Sequence, residues 1–231
     1  NAISDADPGK RGHGDLKSAG VYIGIGLDLN TTNFHLRWCL LPKARQWANQ
    51  LGLSLTEVQL KQWVNTLRDL SGPAMNANRT MGALGGIVAS RIARAFNIGG
   101  PSFTLSSEES SGLRSLEAGV RALQRNEIDT AIVGAVDLAS DIRAVTRQAM
   151  QSREESDCVI GEGAAAVILK RYDDAIRDGD RIYSVIKGIG AANGGKVDDI
   201  MSDPSAYQQA IQRSLLDAGV QLDSISLIEK Q

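Results

Sequence analysis

The chain has 231 residues, enough for one large domain or two small ones with a sizeable buried core. A formal net charge of −2, from 25 basic and 27 acidic side chains, leaves no electrostatic footprint for nucleic acid. No apolar run is long enough to span a bilayer, and the N-terminal NAISDADPGKRGHGD has no signal-peptide core, so the expected location is the cytoplasm.

Residues 1–19 read as a polar loop, with Lys10-Arg11-Gly12-His13 as solvated charge. Val21 to Leu27 reads as a strand whose glycines, Gly24 and Gly26, allow another element to come close. That pair lacks the third glycine and the following helix of a dinucleotide fingerprint. His35 sits among Phe34, Leu36 and Trp38, a setting for a structural histidine rather than a catalytic one. Cys39 and Cys158 lie far apart among apolar neighbours, which predicts buried free thiols and neither a disulfide nor a metal site.

From Pro42 the pattern is helical. Ser54 and Glu57 have capping-box spacing, and Leu60, Trp63, Val64, Leu67 and Leu70 continue one apolar stripe to a stop at Ser71-Gly72-Pro73. Residues 80–96 predict a second helix with the stripe Met81, Leu84, Val88, Ile92 and Ala95, in which Gly85, Gly86 and Ala89 permit close packing.

Gly99 to Leu123 is the stretch around which the chain is organised. Ser102 to Ser106 predicts a short strand, and Leu113, Leu116, Val120 and Leu123 predict one face of a helix beginning near Glu109 or Ser110. Between them lies a turn of serines and glutamates. A strand-turn-helix of this kind lifts a nucleophile into a site, with the unpaired N–H groups of the helix start beside it. Here the turn holds Ser107, Glu108, Glu109, Ser110 and Ser111, and no cysteine.

Asp129 to Val136 then reads as a strand buried on both faces, which with the preceding helix argues for parallel pairing through helical crossovers. Residues 141–157 read as exposed. Gly161-Glu162-Gly163 leads into another buried strand, Ala164 to Lys170, and Asp173 to Asp178 into a helical turn. Arg181 to Ile189 predicts a strand, Asn193 to Lys196 a turn, Asp203-Pro204 a capped helix start with a stop at Gly219, and Ile225 to Ile228 a last strand.

These segments, in order, carry a family likeness. Asn78-Arg79-Thr80 with the helix to Arg91, Gly100 to Thr104, the turn, Leu113 to Leu123, Asp129 to Val136, Gly161-Glu162-Gly163-Ala164 with Val167 to Arg171, and Asp178 to Ile182 resemble a β-ketoacyl synthase of the thiolase fold. The likeness covers residues 20–229. It is nearest in character to the ketosynthase-like and chain-length-factor domains of iterative polyketide or polyunsaturated fatty acid synthases.

The resemblance implies a layered α-β-α-β-α architecture with mixed sheets, present here over residues 1–231 as one domain incomplete in its C-terminal half. It puts Glu109 at the position of the nucleophilic cysteine, with Ser107, Glu108, Ser110, Ser111, Gly161, Glu162 and Gly163 as substrate-binding positions. It also implies no bound cofactor beyond the phosphopantetheine arm of an acyl carrier protein. The implied partners are that carrier protein and a catalytic ketosynthase domain or a second copy, in a dimer. The two histidines and the lysine of the family's C-terminal half would follow Glu229, which predicts a fragment, or internal joins near Ala149 to Ser156 and after Glu229.

A carboxylate is a weak nucleophile and its acyl-anhydride is not a stable resting species, so Glu109 argues against cysteine-type condensation. The expected role is a non-condensing partner of the chain-length-factor kind. The alternatives are decarboxylation of malonyl-carrier protein and an active synthase using another nucleophile, such as a neighbouring serine.

Overall fold

The computed structural model describes residues 2–6, 16–26, 29–72, 76–82, 84–138, 145–146, 161–194 and 203–229, with the backbone alone at 29–35 and 79. His13 and Cys158 lie outside the described residues, as does nearly all of the stretch 141–157. Two units are present, one within Asn1–Val145 and Val159–Leu169, the other within Thr146–Cys158 and Lys170–Gln231. The described helices are α1 (Ala2–Ala6), α2 (Leu29–Gln50), α3 (Glu57–Leu70), α4 (Ala77–Gly82), α5 (Ile87–Ala95), α6 (Ser111–Gln124), α7 (Tyr172–Asp178) and α8 (Pro204–Ala218).

The first unit is built on a sheet of β1 (Ala19–Ile25), β2 (Ser102–Leu105), β3 (Thr130–Leu138) and β4 (Glu162–Leu169), ordered β2-β1-β3-β4. β1 is parallel to both neighbours, with Val21 opposite Ser102 and Ile132, and β4 runs antiparallel to β3, with Val167 opposite Val133. The apolar runs of β1 and β3 are covered on both faces. On one face Tyr22, Ala131 and Val133 pack with Ala122 and Leu123 of α6; on the other, Val21, Ile23 and Ile132 pack with Ala89 and Ala93 of α5.

β4 departs from the expected buried strand. Among the described residues it is an edge strand, with β3 as its neighbour, and it is exposed from Glu162 to Val167. The single helix expected over 80–96 is two, α4 and α5, and Gly86 caps the second. Gly85 lets the break close onto Ile25, whereas Met81, Leu84 and Ala95 of the expected stripe are exposed.

α2 starts thirteen residues ahead of Pro42, which it contains, so His35 stands on the backbone of this helix. α2 and α3 make their own core of Leu40, Ala44, Leu60 and Val64, edged by Trp47 and Trp63. Arg37 ties the pair by donating to the Arg68 and Gly72 carbonyls at 2.7 and 2.8 Å. The capping box of α3 is Thr56 with Gln59, two residues beyond the expected Ser54 and Glu57, and Glu57 instead pairs with Arg45 at 2.9 Å. Leu70, at the end of the stripe, is exposed. Cys39 is exposed as well, contrary to the expectation of a buried thiol, because it lies on the side of α2 away from Leu40 and Ala44.

In the second unit α8 begins as expected, with Asp203 accepting the Ser205 N–H and Pro204 at the first position, and ends at Gly219. Residues Lys187 to Ala191 run along it. The Ile189 N–H donates to Asp217 at 2.9 Å, Arg213 donates to the Ala191 carbonyl, and a Cβ at Gly188 would stand 2.5 Å from the Ser214 carbonyl oxygen. Arg181 to Ile189 and Ile225 to Ile228 have no strand partner among the described residues, so neither forms the expected strand there. At the head of this unit Lys170 donates to Asp178 and Asp180, each at 2.6 Å, while Arg177 pairs with Asp174 and Asp178.

Candidate functional site

The turn between β2 and α6 owes its shape to its serines. Ser110 Oγ donates to the Ser107 carbonyl at 2.8 Å and lies 3.0 Å from Ser107 Oγ. Ser111 Oγ donates to the Glu108 carbonyl at 2.6 Å and accepts the Ser107 N–H at 2.8 Å. None of these bonds reaches a histidine, lysine or carboxylate side chain that could take a proton. The hydroxyls are committed to the turn, as ordinary capping chemistry predicts.

Glu108 has φ +49°, a left-handed conformation that costs a residue with a Cβ about 1–2 kcal/mol. Among the described residues the other two side-chain-bearing ones with positive φ are Asn97 and Asn126, just past α5 and α6, and asparagine tolerates such positions. Glu108 is therefore held there by its surroundings. Glu109 follows, and both glutamate side chains are exposed, with no hydrogen bond or ion pair among the described residues.

What seats this turn was missed in the sequence. The leucine stripe of α6 forms only part of the contact face: Leu123 is buried and Leu116 packs against the same core, but Leu113 is 67% exposed. The buried line is Ser111, Ser115, Gly119 and Ala122, at spacings of four, four and three, which is equally helical but small. These residues bring the helix backbone down onto the sheet. Ser115 Oγ, fully buried, is shared between the Gly112 carbonyl at 2.7 Å and the Gly134 carbonyl of β3 at 3.2 Å. A Cβ at Gly119 would stand 2.7 Å from Val133 Cγ2. The signal was present as a row of small residues, but hydrophobicity alone ranks it below the leucines.

Gly24 of β1 lies beneath the start of α6, and Gly112 stands over Ala135 of β3. The turn therefore sits at the carboxyl ends of the parallel strands, the usual place for a site in an open α/β sheet. Ala165 of β4 is level with Ala135, and Glu162 pairs with Leu138 beyond it. Gly161, Glu162 and Gly163 thus share this end of the sheet, two strands from β1, or about 10 Å aside at the usual strand spacing. The structure brings Ser107, Glu108, Glu109, Ser110 and Ser111 into one turn and leaves the Gly161–Gly163 group exposed on the edge strand.

Among the described residues no group of three His, Cys, Asp or Glu side chains could hold a metal ion, and no helix is long and apolar enough to cross a membrane.

The highly reducing polyketide synthase srdA of Neurospora crassa is 35% identical over 156 residues, covering 62% of this chain and 6% of that protein. The 6-methylsalicylic acid synthase of Aspergillus niger is 33% identical over 177 residues, covering 71% of this chain and 10% of that protein. The chain thus spans a tenth or less of the length of these curated relatives. In solved structures, the PfaC keto synthase-chain length factor superposes with a TM-score of 0.61 at 23% identity, over 95% of this chain and 24% of that one, which shows a shared thiolase-like fold. The family profile described as Beta-ketoacyl synthase, N-terminal domain, matches residues 10–175, and the chain belongs to that family.

Proposed function

We propose that the chain acts as a non-condensing ketosynthase-like domain, of the chain-length-factor kind, within a synthase that builds acyl or polyketide chains. The observation that carries this reading is Glu109: the family motif, set on Gly100 to Thr104 and Leu113, puts its cysteine there, and a carboxylate forms no stable acyl resting state. The serines beside it support the same reading, since their hydroxyls are spent on the turn with no base attached. In this role the domain lines part of an acyl tunnel, receives the phosphopantetheine arm of an acyl carrier protein, and pairs with a catalytic ketosynthase or with a second copy. Polyketide synthases among the relatives, and the PfaC structure described as a keto synthase-chain length factor, support that setting.

The test is intact-mass analysis of the purified chain after incubation with an acyl-carrier-protein thioester. No acyl adduct is expected. An adduct on Glu109 or on a turn serine would overturn the reading, and carbon dioxide release from malonyl-carrier protein would replace it with decarboxylation.

A further inference from the structure

We infer that Ser111 is a positioning residue for position 109: its hydroxyl clamps the two arms of the turn and so fixes how residue 109 is presented at the carboxyl end of the sheet. The inference rests on reading the turn as a nucleophile seat that now holds Glu109. Three observations select Ser111 from the four serines of the turn. It is 4% exposed, whereas Ser106 and Ser107 are exposed and Ser110 is half-exposed. It alone bonds to both sides of the left-handed residue, accepting the Ser107 N–H at 2.8 Å and donating to the Glu108 carbonyl at 2.6 Å. Its own backbone is pinned from below, where Gly24 of β1 leaves no room for so much as a Cβ, with Ser111 carbonyl oxygen 2.5 Å from that position.

The consequence is directional. Without the hydroxyl the Ser107 N–H loses its acceptor, and the Glu108 carbonyl keeps the Ser111 N–H bond at 3.1 Å, leaving that bond and the Ser110 bonds to Ser107 to hold φ +49°. Glu108 then relaxes toward the right-handed or extended regions that a side chain favours, and the Cα–Cβ direction of the next residue swings with it. Ser115, buried in the same helix, bonds to Gly112 and Gly134 and has no bond to the turn. It supplies the control.

The experiment uses the full chain with Glu109→Cys as a reporter and follows alkylation by iodoacetamide across pH. Adding Ser111→Ala is expected to lower the rate at pH 7 about tenfold, the change that a one-unit rise in thiol pKa produces, and Ser111→Thr, which keeps the hydroxyl, restores it. Adding Ser115→Ala lowers the melting temperature and leaves the pH profile in place. Identical profiles with and without Ser111→Ala overturn the inference, and so does a Ser115→Ala shift of equal size. If Ser111→Ala fails to fold, Glu108→Gly is added to relieve the strain, since glycine takes positive φ freely, and the pair is read against Glu109→Cys with Glu108→Gly alone: a lower rate without the Ser111 hydroxyl is expected, and equal rates overturn the inference. Acylation of the unsubstituted chain would overturn the non-condensing reading by a separate measurement and leave this comparison standing.

Discussion

Gly24 of β1 and Ser111 of α6 meet backbone to backbone, and a Cβ on residue 24 would stand 2.5 Å from the Ser111 carbonyl oxygen and 2.7 Å from the Gly112 nitrogen. Neither atom is the end of a flexible side chain, so the helix start itself must move. Gly24→Ala is expected to cost about 1–3 kcal/mol, the range for overpacking. Urea unfolding measures it, and an unchanged midpoint would mean that α6 can retreat without loss.

Gly119→Ala sets two effects against each other. Alanine is worth about 1 kcal/mol over glycine within a helix, but its Cβ would stand 2.7 Å from Val133 Cγ2. A side-chain methyl can yield where a carbonyl cannot. The expected net cost is therefore smaller than for Gly24→Ala, about 0–2 kcal/mol. A Gly119→Ala variant more stable than the parent would show that Val133 has room to turn.

Glu108→Gly is expected to stabilise the chain. Relief of the left-handed strain outweighs glycine's added unfolded-state entropy by about 0.5–1 kcal/mol. The melting temperature should rise, and a fall would mean that the Glu108 side chain contributes more than its conformation costs.

At the start of α3, Thr56→Ala should cost about 1 kcal/mol and Ser54→Ala almost nothing, since Thr56 and Gln59 form the capping box. Equal costs would place the cap elsewhere. Denaturant midpoints of the two variants make the comparison.

The Lys170 clasp contributes to the pH dependence of the second unit. Hydrogen bonds from Arg177 and then Lys170 hold the Asp178 carboxyl below the usual range. Partial burial of Lys170 opposes its charge, but the bonds to Asp178 and Asp180 outweigh that and raise its pKa. A depressed carboxyl stabilises the fold above its unfolded pKa, so this contribution is lost as pH falls below about 4. A raised lysine stabilises the fold below its unfolded pKa, and that contribution is lost as pH rises past about 10. Asp178→Asn should therefore destabilise clearly at pH 7 and progressively less as the pH falls below about 4, in thermal melts over that range.

Much of the site was legible because its signals are local. The turn of Ser107 to Ser111, the helix after it and the buried strand from Thr130 follow from period, composition and the order of motifs. The same holds for the caps at Asp203 and Gly219, where one residue decides the backbone. The α3 cap was misplaced by two residues because Ser54-Leu55-Thr56-Glu57 offers two oxygens, and only the packing of Leu55, Leu60 and Val64 against α2 selects Thr56.

The sequence by itself determined the strand-turn-helix, the family to which it belongs and the absence of a cysteine from the turn, because each is written in adjacent residues. Tertiary structure alone decided which face of α6 meets the sheet. Hydrophobicity points to the leucines, of which Leu116 and Leu123 do pack on the sheet, but close approach over Gly24, Val133 and Gly134 needs the small residues Ser111, Ser115 and Gly119 beside them. That choice depends on contacts between residues 14 to 87 positions apart in the chain. It also fixes Glu108 in its left-handed conformation and sets where Glu109 stands.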